Sequence, residues 1–194
     1  MNIFVTGGAA SGKSAFAEQS LLDIAGDTEK IYIACMKNDS PAAGKRIVRH
    51  RALREGKGFV TIEKPAAVGE LADRVKGTSI LIEGAGMLLS NELFRGWDFA
   101  YGNRNEAALS RWQRQTEDVC KNIIHDILSL MEVAANAVIV SDEVFSDGRT
   151  YDRLTESYIA CLGQINCALV KKCDRAVEVV YSYPVDLPVK GGNI

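Results

Sequence analysis

The segment TGGAASGKS, residues 6–14, has the residue types and the spacing of a phosphate-binding loop. Gly7 is followed, after four residues, by Gly12, Lys13 and Ser14, which satisfies the pattern G-x-x-x-x-G-K-[ST]. Glycine lets backbone N–H groups turn toward phosphate oxygens, and the N-terminus of a following helix adds positive potential. We expect Lys13 to neutralise the β- and γ-phosphates and Ser14 to place its hydroxyl on Mg²⁺. The segment therefore predicts a nucleotide-binding site.

A second group of residues with chemical potential surrounds His50, one of two histidines in the chain. Residues 45–57, KRIVRHRALREGK, hold a single acid and six cations, although the net charge of the chain is -2: Lys45, Arg46, Arg49, Arg51, Arg54 and Lys57. Positive neighbours favour the neutral, nucleophilic imidazole, and they bind phosphate. On these residues alone, a solvated basic helix face with an incidental histidine is the competing interpretation. His125, in NIIHDIL, is interpreted as a helix residue at a packing edge.

Acidic residues end two apolar segments that are predicted to be buried strands. Glu83 ends SILIE, and Asp142 and Glu143 end AVIVSDE. In a parallel sheet such ends line the ligand crevice, so these acids are candidates to complete a Mg²⁺ site with Ser14. The alternative is that each acid simply ends its strand by turning into water.

The hydrophobic pattern predicts strands that alternate with helices. Short apolar runs predict strands at 2–6, 30–34, 59–63, 78–84, 136–143 and 176–183, and helical patterns cover 13–24, 41–55, 66–75, 105–133 and 151–173. Residues 95–104 are the least regular segment and are predicted to form a surface loop. This alternation favours one α/β domain, residues 1–194, with a mostly parallel sheet covered by helices on both faces.

The composition sets limits on location and partners. Hydrophobic residues make up 47% and charged residues 25%, as in an ordinary globular protein, and the net charge gives no reason to expect nucleic-acid binding. No basic leader and no run of about 18 apolar residues is visible, so we expect neither a secretory signal nor a membrane span. The five cysteines form no CxxC pair, which favours reduced thiols in a cytoplasmic protein over a zinc site.

Several segments together resemble one protein family. They are IFVTGGAASGKS at 3–14, YIA at 32–34, RIVRHR at 46–51, TIE at 61–63, LIEG at 81–84, VIVSDEV at 138–144 and most of residues 151–180. The chain resembles the bifunctional adenosylcobinamide kinase/adenosylcobinamide-phosphate guanylyltransferases of cobalamin biosynthesis. A P-loop alone is generic, whereas a P-loop followed by the R-I-x-x-H-[RK] pattern is far more specific. The resemblance implies a P-loop NTPase-like (RecA-like) fold.

The resemblance also implies roles for individual residues. His50 would be the nucleophile that takes GMP from GTP, and Lys13 would be catalytic in the P-loop. The implied nucleotide contacts are Gly7, Gly8, Ala9, Ala10, Ser11, Gly12, Lys13, Ser14, Ala34, Cys35, Met36, Arg51, Ala52, Leu53, Arg54, Glu63 and Glu83. Mg²⁺ would be held by Ser14 and Glu83, with ATP and GTP as nucleotide substrates, a corrinoid as acceptor and a homotrimer as the assembly.

Two segments depart from the family pattern. The strand-end triplet, usually A-T-S, is Ala34-Cys35-Met36, and residues 142–151 replace the usual N-E-V-G-x-G and V-P. The altered 142–151 loop is a candidate wall of the corrinoid site, so acceptor choice is open. Two alternatives therefore stay open. One is a single-activity small-molecule kinase in which His50 acts only through its charge, and the other is a non-catalytic nucleotide-binding regulatory protein.

Overall fold

Six short, mostly apolar segments form parallel strands at the centre of the computed structural model. They are β1 (Asn2–Thr6), β2 (Lys30–Ala34), β3 (Phe59–Glu63), β4 (Ser79–Glu83), β5 (Asn136–Val140) and β6 (Arg175–Val180). A seventh strand, β7 (Tyr183–Leu187), pairs with β6 in the antiparallel direction. The structure describes residues 1–37, 44, 48, 51, 52, 54–95 and 106–189, with side chains from 112 onward in the last range except that of residue 113. His50, Leu53 and residues 96–104 of the predicted surface loop lie outside them.

The strand order is β3-β2-β4-β5-β1-β6-β7. One strand, β5, therefore lies between the P-loop strand β1 and the strand β4 that ends in Glu83. The register places the last residues of β4 and β5 side by side, with Glu83 opposite Val140. This mostly parallel sheet confirms the predicted α/β P-loop class, and it brings the strand ends to one edge.

The helices cover both faces of the sheet, as predicted. They are α1 (Lys13–Ala25), the short α2 (Ala72–Val75), α3 (Ala85–Leu93), α4 (Glu106–Val133) and α5 (Arg153–Val170). The described residues 44, 48, 51, 52 and 54 are also helical, in line with the helix predicted at 41–55. In α5, Asp152 caps the N-terminus by accepting hydrogen bonds from the N–H groups of Leu154 (2.9 Å) and Thr155 (3.2 Å).

Alternate residues of the strands supply two separate apolar clusters. On one face, Ala17 and Leu21 of α1 pack with Tyr32, Leu81 and Val138. On the other face, side chains of α3, α4 and α5 pack on residues that point the opposite way, such as Ile80, Ile82 and Ile139. The P-loop helix thus sits on the face that carries Tyr32. Among the described residues, no helix combines the length and the apolar composition that a bilayer crossing requires.

Two predicted elements differ from the structure. The last strand was expected to run through 176–183, but it stops at Val180, and Tyr181 (φ 48°) and Ser182 (φ 67°) form a turn into β7. The helix expected at 66–75 is reduced to a 3₁₀ turn (Val68–Leu71) followed by α2. At Gly69 the chain comes so close to α4 that a Cβ would lie 2.5 Å from Oδ1 of Asp126, so this 3₁₀ turn packs directly against α4.

Candidate active site

The P-loop connects β1 to α1 and is held against the end of β6. A Cβ on Gly7 would lie 2.6 Å from the carbonyl oxygen of Val179, and one on Gly12 (φ 94°) would lie 2.8 Å from Oγ of Ser182. The Ser182 N–H donates a 2.7 Å hydrogen bond to the carbonyl of Ser11. These close approaches explain why the sequence needs glycine at both ends of the loop.

Lys13 is largely but not fully buried at the base of this loop and has two oxygen partners. Its Nζ donates to the carbonyl of Gly8 at 3.1 Å and lies 3.0 Å from Oδ1 of Asp142. The side chain of Lys13 is 12% exposed and that of Asp142 is 35% exposed. The structure therefore brings Asp142, a strand-end acid singled out in the sequence, directly to the P-loop cation.

Glu83 is the last residue of β4, and its side chain lies beside Ser14 at the start of α1. The Ser14 hydroxyl donates a 2.8 Å hydrogen bond to Oε1 of Glu83, while Oε2 is buried without a hydrogen-bond partner among the described residues. Burial raises the pKa of Glu83 to about 7, against the opposing effects of the Ser14 hydrogen bond and the Lys13 charge. The site thus holds a carboxylate that a cation would stabilise.

The oxygen atoms of Ser14, Glu83 and Asp142 suit Mg²⁺, which prefers oxygen ligands and keeps several waters or phosphate oxygens of its own. The unpartnered Oε2 of Glu83 is an observation in favour of this fit. A site built only from protein side chains is not present, since no group of three or more His, Cys, Asp or Glu side chains that could hold a metal occurs among the described residues. The oxygens of Ser14, Glu83 and Asp142 would fill only part of the six positions around such an ion.

Arg51 and Arg54 of the basic segment, residues 45–57, form the wall of the site that faces the P-loop. Arg54 is 6% exposed, and its guanidinium carbon lies 3.6 Å above the ring centroid of Tyr32. Nη2 of Arg54 lies 3.5 Å from Oγ1 of Thr61, whereas Nε and Nη1 are buried without a partner among the described residues. Arg51, further out, forms an ion pair with Glu63.

A cavity of about 470 Å³ opens between these two walls, at the carboxyl edge of the sheet. That volume is in the usual range for a small-molecule site, about 300–1,000 Å³. Of the residues singled out in the sequence, the lining includes Ala9, Ala10, Ser11, Gly12, Lys13, Ser14, Ala34, Cys35, Met36, Arg51, Arg54, Glu63, Glu83 and Asp142. Most of the candidate nucleotide contacts are thus brought together around one space.

The other candidates take different positions. Gly7 and Gly8 belong to the loop but do not line the cavity, and Ala52 lines a neighbouring hollow near Gly56 and Phe59. His50 and Leu53 are outside the described residues. Oε1 of Glu143 accepts hydrogen bonds from the Phe145 N–H (2.8 Å) and from the Ser146 hydroxyl (2.7 Å). The Glu143 side chain therefore braces the 142–151 loop and does not line the cavity.

Several cavity residues were not singled out in the sequence, among them Tyr32 and Thr61. A signal for both was present. Side chains two apart on a strand share a face, so Tyr32 lies on the face of Ala34, and Thr61 lies on the face of Glu63. Cys35 also lines the cavity, but burial raises its pKa to about 12, which keeps it a protonated thiol at neutral pH.

Comparison with known proteins agrees with this geometry. A profile of the family described as cobinamide kinase / cobinamide phosphate guanyltransferase matches residues 3–187. No curated protein matches the chain. Among solved structures, one described as an ATPase domain aligns with a TM-score of 0.46 and 10% sequence identity, over 91% of this chain and 68% of that one, a likeness too small to carry an argument. Because the profile spans the P-loop, the basic segment and the strand-end acids together, this chain belongs to the cobinamide kinase / cobinamide phosphate guanyltransferase family of bifunctional enzymes.

Proposed function

We propose that this chain phosphorylates adenosylcobinamide with ATP or GTP, and then transfers GMP from GTP through His50 to give adenosyl-GDP-cobinamide. The observation that carries the proposal is the cavity, which has the P-loop cation on one wall and, on the other, the buried Arg54, whose Nε and Nη1 have no partner among the described residues. An arrangement of this kind is complementary to a chain of phosphates, because both walls offer donors and positive charge.

In the kinase step, the residues of the P-loop wall bind and position the triphosphate. The backbone N–H groups of the loop and Lys13 would hold the β- and γ-phosphates, and Lys13 would exchange its Asp142 partner for phosphate oxygens. Ser14 and Glu83 would hold Mg²⁺, which when bound offsets the charge of the β- and γ-phosphates. The acceptor hydroxyl forms a bond to the γ-phosphorus, the bond to the β-phosphate oxygen breaks, and the hydroxyl proton leaves to a base.

In the guanylyl step, the neutral His50 imidazole attacks the α-phosphorus of GTP, and the bond to the pyrophosphate oxygen breaks. The phosphorylated corrinoid then attacks the same phosphorus, and the phosphorus–nitrogen bond breaks to release the histidine. His50 directly precedes Arg51 in the chain, and Arg51 and Arg54 line the cavity. Both arginines would stabilise the charge that develops on the α-phosphate and on the departing pyrophosphate.

The acceptor would enter beside the 142–151 loop. Asp142 at its start lines the cavity, and Phe145 is 46% exposed and packs over Gly163, where a Cβ would lie 3.5 Å from its ring. An exposed aromatic residue on the loop that begins at Asp142 suits a large, largely apolar corrinoid face. The family resemblance also supports a homotrimer and a cytoplasmic location as parts of this proposal.

The proposal is tested by following products. The protein is incubated with adenosylcobinamide, Mg²⁺ and GTP, and the corrinoids are identified by mass spectrometry. We expect first the phosphorylated corrinoid and then its GDP derivative, and we expect neither with Lys13→Ala. The phosphorylated corrinoid alone would indicate a single-activity kinase. Nucleotide binding with neither product would indicate a regulatory protein.

A further inference from the structure

The P-loop helix carries a buried acid that the proposed chemistry does not use. Glu18 follows Ser14 by one helical turn, on the same face of α1, and is only 3% exposed. Its chain neighbour Ala17 belongs to the apolar cluster that also contains Leu21 and Tyr32. Burying a carboxylate costs free energy unless a partner compensates for the lost hydration.

The partner is a cation of the basic segment. Nζ of Lys57 lies 2.6 Å from Oε2 of Glu18. The backbone N–H of Lys57 also donates a 3.1 Å hydrogen bond to the carbonyl of Arg54. The ion pair therefore attaches the turn that ends the basic segment to the same helix whose first turn forms the phosphate cradle.

Arg54, whose carbonyl accepts this hydrogen bond from Lys57, lies close to the attachment. The guanidinium lies on the ring of Tyr32 and keeps Nε and Nη1 buried and unpartnered among the described residues, at the cavity wall. Unpartnered donors of a buried cation cost free energy until an anion accepts from them. The Lys57 side chain is 36% exposed, and an ion pair of this kind is itself weak evidence for stability, because exposed pairs contribute little and an apolar pair is often as stable as a buried one. The Glu18–Lys57 pair thus calls for another explanation.

We propose that Glu18 and Lys57 are positioning residues, which hold Arg54 on Tyr32 so that its free N–H groups meet a phosphate of the bound nucleotide. The inference rests on the proposed function only in that it requires a nucleoside triphosphate in this cavity. Neither residue contacts the ligand. Their contribution to affinity passes through Arg54.

The test is a double-mutant cycle on nucleotide affinity. Calorimetry would measure the Kd for the α,β-methylene analogue of GTP, which cannot release pyrophosphate, in the wild type, Glu18→Gln, Lys57→Met, Arg54→Met and Glu18→Gln/Arg54→Met. We expect each single substitution to weaken binding about tenfold, and the Glu18→Gln/Arg54→Met protein to bind no more weakly than Arg54→Met alone. Lys57→Arg keeps the cation and should bind like the wild type.

Two further proteins separate positioning from folding. Glu18→Gln/Lys57→Met removes both charges, so no buried charge is left alone; we expect it to melt near the wild-type temperature and still to bind about tenfold more weakly. Arg74→Met is the matched control, because Arg74 makes two hydrogen bonds to Glu29 away from the cavity, and it should change neither property.

Effects of Glu18→Gln and Arg54→Met that multiply in full, or wild-type affinity in Glu18→Gln/Lys57→Met, would overturn the inference. The outcome is independent of turnover. A wild type that binds the analogue and forms no corrinoid product would count against the proposed function alone. A wild type that makes both products while the two effects multiply would count against the positioning role alone.

Discussion

Glu83 is the residue at which burial and neighbouring charge act most strongly against each other. Removal from water favours its neutral form, and the Ser14 hydroxyl and Lys13 favour its carboxylate. Burial dominates, so the pKa of Glu83 is raised from 4.5 to about 7. The folded protein therefore binds a proton that the unfolded chain has already lost between those two values.

The raised pKa of Glu83 makes the free energy of unfolding depend on pH. Because the folded-state pKa is the higher one, the free energy of unfolding falls as the pH rises from about 4.5 through 7. Glu83→Gln lacks this titration, so it should unfold like the wild type at pH 4 and be more stable than the wild type by roughly 3 kcal/mol at pH 8. Urea unfolding at the two pH values measures the difference. A gap of equal size at both would show that the carboxylate is not destabilised by burial.

A second prediction concerns Asp142, because its carboxylate pairs with Lys13, the cation that a phosphate group would need. Asp142→Asn keeps the shape of the side chain and removes the charge 3.0 Å from Nζ of Lys13. We expect the variant to bind GTP about fivefold more tightly, since a partly exposed ion pair is worth about 1 kcal/mol, and the gain should shrink at high salt. Calorimetric titration at two salt concentrations checks this. Weaker binding would instead mean that Asp142 helps to hold the nucleotide, through Mg²⁺.

Among the elements, the parallel strands and α1 were predictable, whereas the C-terminal hairpin was not. Each of the six parallel strands is a short, mostly apolar run, and α1 starts at the P-loop lysine. The β6–β7 turn has no Gly, Asn or Asp at its two left-handed positions, Tyr181 and Ser182, so its sequence looks like continued strand. The contact that favours the turn, from Ser182 N–H to Ser11, joins residues far apart in the chain.

That contact makes the hairpin part of the nucleotide site and gives a prediction for the element. Ser182→Val places a β-branched residue at φ 67°, which should cost about 1–2 kcal/mol, and should lower both the melting temperature and the affinity for GTP. Ser182→Gly accepts this backbone conformation and keeps the N–H group, so it should retain affinity. Thermal melts and binding titrations of the pair decide the point. Equal affinities in the two variants would show that the P-loop keeps its shape without the hairpin.

In the molecule as a whole, the P-loop wall of the site can be predicted from the sequence more fully than the opposite wall. The P-loop is one continuous segment with a known spacing, and Glu83 ends a recognisable strand. The opposite wall depends on pairs that only the fold brings together, namely Arg54 with Tyr32, Arg51 with Glu63 and Lys57 with Glu18. No local pattern marks Glu18 as more than a helix residue, and Tyr32 is marked only by the strand face that it shares with Ala34. The family match covers the segments that hold Arg51, Tyr32 and Glu63 but does not say which of these residues pair.

In the proposed reaction sequence, both walls of the cavity bind the phosphates of GTP, and His50 accepts the GMP. The most direct measurement is incubation with Mg²⁺ and GTP labelled at the α-phosphate, followed by denaturing electrophoresis and peptide mapping. We predict that the label stays on His50 through denaturation and mild alkali and is released by acid, because a phosphorus–nitrogen bond is acid-labile. Label at the γ-phosphate should not remain, and His50→Asn should bind GTP without becoming labelled. Three results would contradict GMP transfer through His50: labelling that persists in His50→Asn, label on His125, or a wild type that binds GTP and stays unlabelled.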